Sequence, residues 1–88
     1  MNHRLNILIV EDEKNICDFL GAFLIGQGYQ VSFAAKGKEA LSLISSNCPD
    51  VVLLDLGLPD IDGMDVIESV RTWSSVPIIV ISARTREE

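Results

Sequence analysis

Val51-Val52-Leu53-Leu54-Asp55-Leu56-Gly57-Leu58-Pro59-Asp60-Ile61-Asp62-Gly63 lies past the middle of the chain and decides how the rest is read. Its first four residues are apolar with no polar alternation, which reads as a strand buried on both faces. The run ends at an aspartate, a residue that disfavours strands. It then enters a loop dense in turn formers: Gly57, Pro59, Asp60, Asp62 and Gly63. A strand covered on both sides belongs to a parallel sheet between helices, so strands and helices should alternate around it.

The flanking sequence alternates in that way. Leu5 to Val10 is another apolar run, interrupted only by Asn6, and predicts a first strand. Ile16, Phe19, Leu20, Phe23 and Leu24 recur at helical spacing, so they predict the buried face of a first helix, stopped by Gly26 and Gly28. Tyr29 to Ala34 predicts a second strand. Gly37 to Ile44, with Ala40, Leu41 and Ile44 on one side, predicts a second helix, and Ser45, Ser46, Asn47 and Pro49 a turn. Beyond the central loop, Met64, Ile67 and Val70 mark a third helix, and Pro77 to Ile81 a fourth strand. The reading is βαβαβαβ: an α/β, doubly wound parallel sheet with right-handed crossovers.

With 88 residues, one domain is the ceiling. The apolar fraction is 48% and the charged fraction 23%, which argues against disorder. The net charge of −6 and seven scattered basic residues argue against direct nucleic-acid binding by this segment. No apolar stretch reaches the ~18 residues of a membrane helix, and no signal peptide is read, so a cytoplasmic location is expected. Cys17 and Cys48 have no metal-like spacing and read as small, at least half-buried residues. His3 has no partner in sequence, Trp73 reads as a packing or turn residue, and Lys36 and Lys38 as solvent-facing.

Glu11, Asp12 and Glu13 follow directly on the first strand, and Asp55 on the third. Ligand sites of open α/β sheets lie beyond the carboxyl ends of the strands, where the strand order reverses. If the order is 2-1-3-4, strands one and three are neighbours and Glu11, Asp12 and Asp55 share one crevice. Two unit charges ~5 Å apart repel by roughly 3 kcal/mol at an effective dielectric near 20. Such a cluster calls for a protonated acid or a cation, and its oxygen donors suit Mg²⁺. The backbone carbonyl of Gly57 is placed to add a ligand, and a carboxylate beside Mg²⁺ can attack phosphorus. Ser82, at the end of the fourth strand, would reach the same rim. Position alone leaves a second reading open, because Asp12 or Glu13 can also cap the helix that begins near Lys14.

Leu8-Ile9-Val10-Glu11-Asp12-Glu13, Leu53 to Gly63 and Pro77-Ile78-Ile79-Val80-Ile81-Ser82-Ala83-Arg84 together resemble a two-component response-regulator receiver domain, over essentially the whole chain. Asp55 to Asp62, Arg71-Thr72-Trp73-Ser74 and Val76-Pro77 look most like the potassium-transport branch of its winged-helix (OmpR/PhoB-like) class. The resemblance implies a flavodoxin-like fold with strand order 2-1-3-4. It further implies Asp55 as phospho-acceptor, Glu11 and Asp12 as the acidic pair for Mg²⁺, and Gly57 as a carbonyl ligand. Ser82 would be the switch hydroxyl and Ala83 the small residue of the phosphoryl pocket. The implied donor is a sensor histidine kinase, and the implied output transcriptional.

Family receivers have five strands and five helices. Residues 1–88 are therefore expected to form a C-terminally incomplete receiver, without the fifth strand, its terminal Lys and the last helices. The expected consequence is an uncovered apolar edge, favouring a homodimer or domain-swapped dimer. Two other chemistries fit poorly. A haloacid-dehalogenase-type hydrolase wants a second Asp where Gly57 stands, and a dinucleotide site wants glycines where Glu11-Asp12-Glu13 stand. An interaction module that kept the fold and lost the switch is the remaining alternative.

Overall fold

The computed structural model describes residues 4–81. Its elements are β1 (Asn6–Val10), α1 (Lys14–Gly26), β2 (Gln30–Ala34), α2 (Gly37–Asn47), β3 (Val51–Leu54), α3 (Gly63–Arg71) and β4 (Ile78–Val80). All three pairings are parallel and the order is β2-β1-β3-β4, as the resemblance implies for a flavodoxin-like receiver. The start of β1 is tied to β3 twice. The Asn6 amide donates to Asp50 Oδ2 at 2.7 Å, and the Asp50 amide donates to the Asn6 carbonyl at 2.8 Å.

The parallel register divides the sheet into two faces. Leu8 and Val10 of β1, Ala34 of β2, and Val52 and Leu54 of β3 share one face. They meet Ala40 and Ile44 of α2 and Val66 and Val70 of α3 in the main buried core. Ile7, Ile9, Val31, Phe33, Val51, Leu53 and Ile79 are in register on the opposite face, against which α1 packs over β2. Cover there is uneven. Ile9 is fully buried, whereas Phe33 is 44% exposed and Ile79 53% exposed.

Three local details depart from the sequence expectation. In α1 the half-buried or buried positions are Cys17, Leu20, Gly21 and Leu24, with Ile16 half-buried at the margin. Phe19 and Phe23 are 72% and 58% exposed. Ile16, Leu20 and Leu24 of the expected stripe therefore lie inward, and Cys17 and Gly21 complete it in place of Phe19 and Phe23. At Gly21 a Cβ would lie 2.7 Å from the tip of the Phe33 ring, so the helix packs closely on this half-exposed side chain. In α3, Gly63, Val66 and Val70 face inward while Met64 is 51% exposed.

Finally, α2 runs on through Ser45, Ser46 and Asn47, which had read as a turn. It stops at Cys48, which takes a left-handed conformation (φ 50°) and donates its amide to the Ile44 carbonyl at 3.2 Å. Cys48 is accordingly exposed rather than half-buried, while Cys17 is half-buried as expected. No helix of the described residues is long and apolar enough to cross a membrane.

Candidate functional site

Backbone hydrogen bonds just past the strand ends hold the acids in place. The Glu11 amide donates to the Ala34 carbonyl at 2.9 Å, prolonging the β1–β2 ladder by one residue. The Asp55 amide donates to the Val10 carbonyl at 2.9 Å and does the same between β3 and β1. Ile81 donates to Leu54 at 2.9 Å on the other side. Glu11 and Asp55 therefore leave adjacent strands at the same height. Both are buried, at 2% and 1% exposure, while Asp12 is exposed.

One carboxylate oxygen from each of Glu11, Asp12 and Asp55 lies within 4.8 Å of the others. This is the crevice that the sequence predicted, and its three hard oxygen donors match what a divalent cation such as Mg²⁺ takes. Two buried members and one exposed member leave the cluster open on one side. Burial raises the pKa of Glu11 above its ordinary 4.5, and the charges of Asp55 and Asp12 and a hydrogen bond with Asp12 push it the same way. The Glu13 amide opposes this by donating to Glu11 Oε2 at 3.1 Å. A group held by like charges in a desolvated pocket is a cation's place more than an anion's.

The start of α1 bears on the alternative reading of these acids. Glu13 occupies the N-cap position, but its side chain makes no capping hydrogen bond. The Glu11 carboxylate instead takes the Glu13 amide, so the strand-end acid is oriented by the helix entry. Cys17 Sγ donates to the Glu11 carbonyl at 3.2 Å. Burial, then the Glu11, Asp18 and Asp12 charges, raise its thiol pKa, which keeps the donor proton in place.

Asp55 Oδ1 accepts from the Gly57 amide at 3.3 Å, folding the following loop back over the acid. That loop is fastened at two further points. Asp62 caps α3, accepting from the Met64 amide at 3.0 Å. Asp60 reaches the start of α2, its Oδ1 accepting from the Gly37 amide at 2.7 Å and its Oδ2 from the Lys38 amide at 3.0 Å. These amide bonds, with Lys38 the largest, hold the Asp60 carboxyl below its ordinary 3.8. Sequence reading took Asp60 as a turn residue only. Its partners are main-chain amides more than twenty residues upstream, which leave no mark in the sequence.

Lys36 and Lys38 are exposed as expected, and Trp73 is half-exposed. His3, Ser82 and Ala83 lie outside the described residues.

Comparison with known proteins agrees with this geometry. The sequence profile described as "Response regulator receiver domain" matches residues 7–88. The KDP operon transcriptional regulatory protein KdpE of Escherichia coli K12 is 48% identical over 82 residues, covering 93% of this chain and 36% of that protein. The transcriptional regulatory protein KdpE of Staphylococcus aureus is 45% identical over 82 residues, with the same coverages of 93% and 36%. Among solved structures, the BeF3-activated N-terminal receiver domain of Klebsiella pneumoniae RstA superposes with a TM-score of 0.86 at 29% identity, covering 93% of this chain and 70% of that one. The chain spans about a third of the length of the curated relatives it matches. A parallel sheet in the order 2-1-3-4 with acids gathered at the ends of its two middle strands, matched along nearly its whole length by one family, leaves a single assignment: this chain belongs to the response regulator receiver domain family.

Proposed function

We propose that the chain is a phospho-acceptor switch: Asp55 takes a phosphoryl group, with Mg²⁺ held by Glu11, Asp12, Asp55 and the Gly57 backbone carbonyl. The observation that carries the proposal is the convergence of two buried carboxylates and one exposed carboxylate within 4.8 Å at the ends of β1 and β3. A bound Mg²⁺ would supply neutralisation of the charge on the transferred oxygens. The protein's own contribution is position. The Asp55 carboxylate, oriented by the Gly57 amide, attacks phosphorus in line. A new carboxylate O–P bond forms as the P–N bond of a phosphohistidine breaks, and the imidazole leaves with the electron pair and takes up a proton. The donor is a sensor histidine kinase, the kind of partner that receiver domains serve. By analogy with the KdpE relatives, the output is transcriptional control. Ser82 as switch hydroxyl and Ala83 as pocket residue belong to the same proposal through the family resemblance, as does residues 1–88 forming one receiver unit. A second copy of the chain is a further proposed partner, through the partly uncovered α1 side of the sheet.

Incubation with Mg²⁺ and acetyl phosphate, read by intact mass, tests the proposal. We expect a gain of one phosphoryl group that is lost in Asp55→Asn and on chelation. Asp12→Ala is expected to weaken Mg²⁺ binding by about tenfold, the scale on which metal sites respond to a lost partner. An unchanged mass in the wild-type protein together with Mg²⁺ affinity indifferent to Asp12→Ala would favour the interaction module instead.

A further inference from the structure

The loop after the phospho-acceptor is anchored to the start of α2. Asp60 uses both carboxylate oxygens on consecutive amides, 2.7 Å to Gly37 and 3.0 Å to Lys38, at the first turn of α2. These are charge-assisted bonds to donors that the helix itself cannot satisfy. Beside them, side chains of the loop and of α3 press on the Gly37 backbone. A Cβ on Gly37 would lie 2.4 Å from Ile61 Cγ1 and 3.1 Å from Val66 Cγ2, so Ile61 fills the space a side chain at position 37 would need. At the other end of the loop, a Cβ on Gly63 would lie 2.6 Å from Leu56 Cα and 3.1 Å from the Asp55 carbonyl oxygen. Between these two close contacts stands the segment from Leu56 to Pro59, which carries the Gly57 carbonyl.

We infer that Asp60 is a positioning residue for the metal and phosphoryl site, clamping the loop to the start of α2 so that Asp55 and the Gly57 carbonyl are presented together. The inference rests on the proposed role of that loop in holding Mg²⁺. It makes α2 a responsive element, because a bond network that fixes the loop from the helix also fixes the helix from the loop. Binding at the crevice therefore protects the Gly37 and Lys38 amides, and loss of Asp60 is felt at the crevice. Ligand-holding groups are routinely set by such outer partners, whose loss costs about 10–100-fold in metal affinity.

The test uses the full chain, with Mg²⁺ titrated while amide exchange is followed residue by residue. In the wild-type protein we expect Mg²⁺ to slow exchange at Gly37 and Lys38. In Asp60→Ala that response is lost and Mg²⁺ binds about tenfold more weakly, the lower end of the range for lost outer partners. Asp60→Asn keeps one carbonyl acceptor for one of the two amides and should recover part of the affinity, which guards against a variant that merely misfolds. Faster exchange at Gly37 and Lys38 in Asp60→Ala with unchanged Mg²⁺ affinity would overturn the inference, since the bonds would then be broken without consequence for the site. Absence of Mg²⁺ binding in the wild-type protein would instead remove the metal reading itself, and the inference with it.

Discussion

At the scale of single residues, Glu11 carries the clearest physical signature. It is buried beside two other acids, and its folded pKa lies above its ordinary 4.5. A raised carboxyl pKa means that the fold prefers the protonated form. That contribution to stability is fully present below about 4.5 and is lost as pH rises through the higher folded value. Without divalent metal, the protein should thus lose stability with rising pH across that window. Glu11→Gln keeps an acceptor for the Glu13 amide and removes the charge. We expect it to stabilise the metal-free protein at pH 7 by on the order of 1 kcal/mol, well inside the repulsion of charges ~5 Å apart. It should also flatten the pH dependence in urea denaturation with chelator present. A metal-free Glu11→Gln protein no more stable than wild type would show that the cluster stores no repulsion. Asp60 has the opposite sign. Its folded pKa is lowered, so its contribution is present above 3.8 and fades only as pH falls through the lower folded value.

Among the elements, what could be read from sequence follows from what leaves a local pattern. β1 and β3 were legible because a strand buried on both faces must be apolar throughout, and an acid directly after such a run stands out. Glu11, Asp12 and Asp55 were legible for that reason. The orientation of α1 was only partly legible, because the helix is apolar on more than one stripe and the buried one includes Cys17 and Gly21, packed near the Phe33 ring. Periodicity counts apolar side chains and gives a glycine no weight. The end of α2 was hidden for a related reason. Ser45, Ser46 and Asn47 favour turns, yet the left-handed stop comes only at Cys48, directly after them. Among these approaches, the join of β3 to α3 is made against backbone. Gly63→Ala drives a Cβ against the Leu56 backbone, where no side chain can swing aside. We expect a loss of about 1–3 kcal/mol, the usual cost of overpacking. By contrast, Gly26→Ala, with nothing within 4 Å, should stabilise by up to ~1 kcal/mol through helix propensity. Equal effects of the two substitutions in urea denaturation would contradict this account of the join.

Taken whole, the molecule is better covered on one side of the sheet than on the other. The face under α2 and α3 holds a continuous core, while the α1 side leaves Ile79 and Phe33 about half exposed and adds the outward rings of Phe19 and Phe23. These exposed apolar side chains on α1, β2 and β4 are a basis for association. Light scattering after size-exclusion chromatography should give a mass above that of one chain, rising with concentration. Phe19→Ser combined with Phe23→Ser should lower it while leaving Mg²⁺ binding intact. A single-chain mass at every concentration would exclude self-association by this surface.

The strand pairing has a last consequence. Glu11 and Asp55 are remote in the chain and meet only because β3 is laid alongside β1 after the intervening βα units have closed. An unfolded chain has no such meeting point, so a cation that binds there binds the native state alone. At a concentration a hundred times its dissociation constant, such an ion would deepen the native well by about 2.7 kcal/mol. An ion held at that site would then also act as a thermodynamic fastener for the long-range architecture that creates its own pocket.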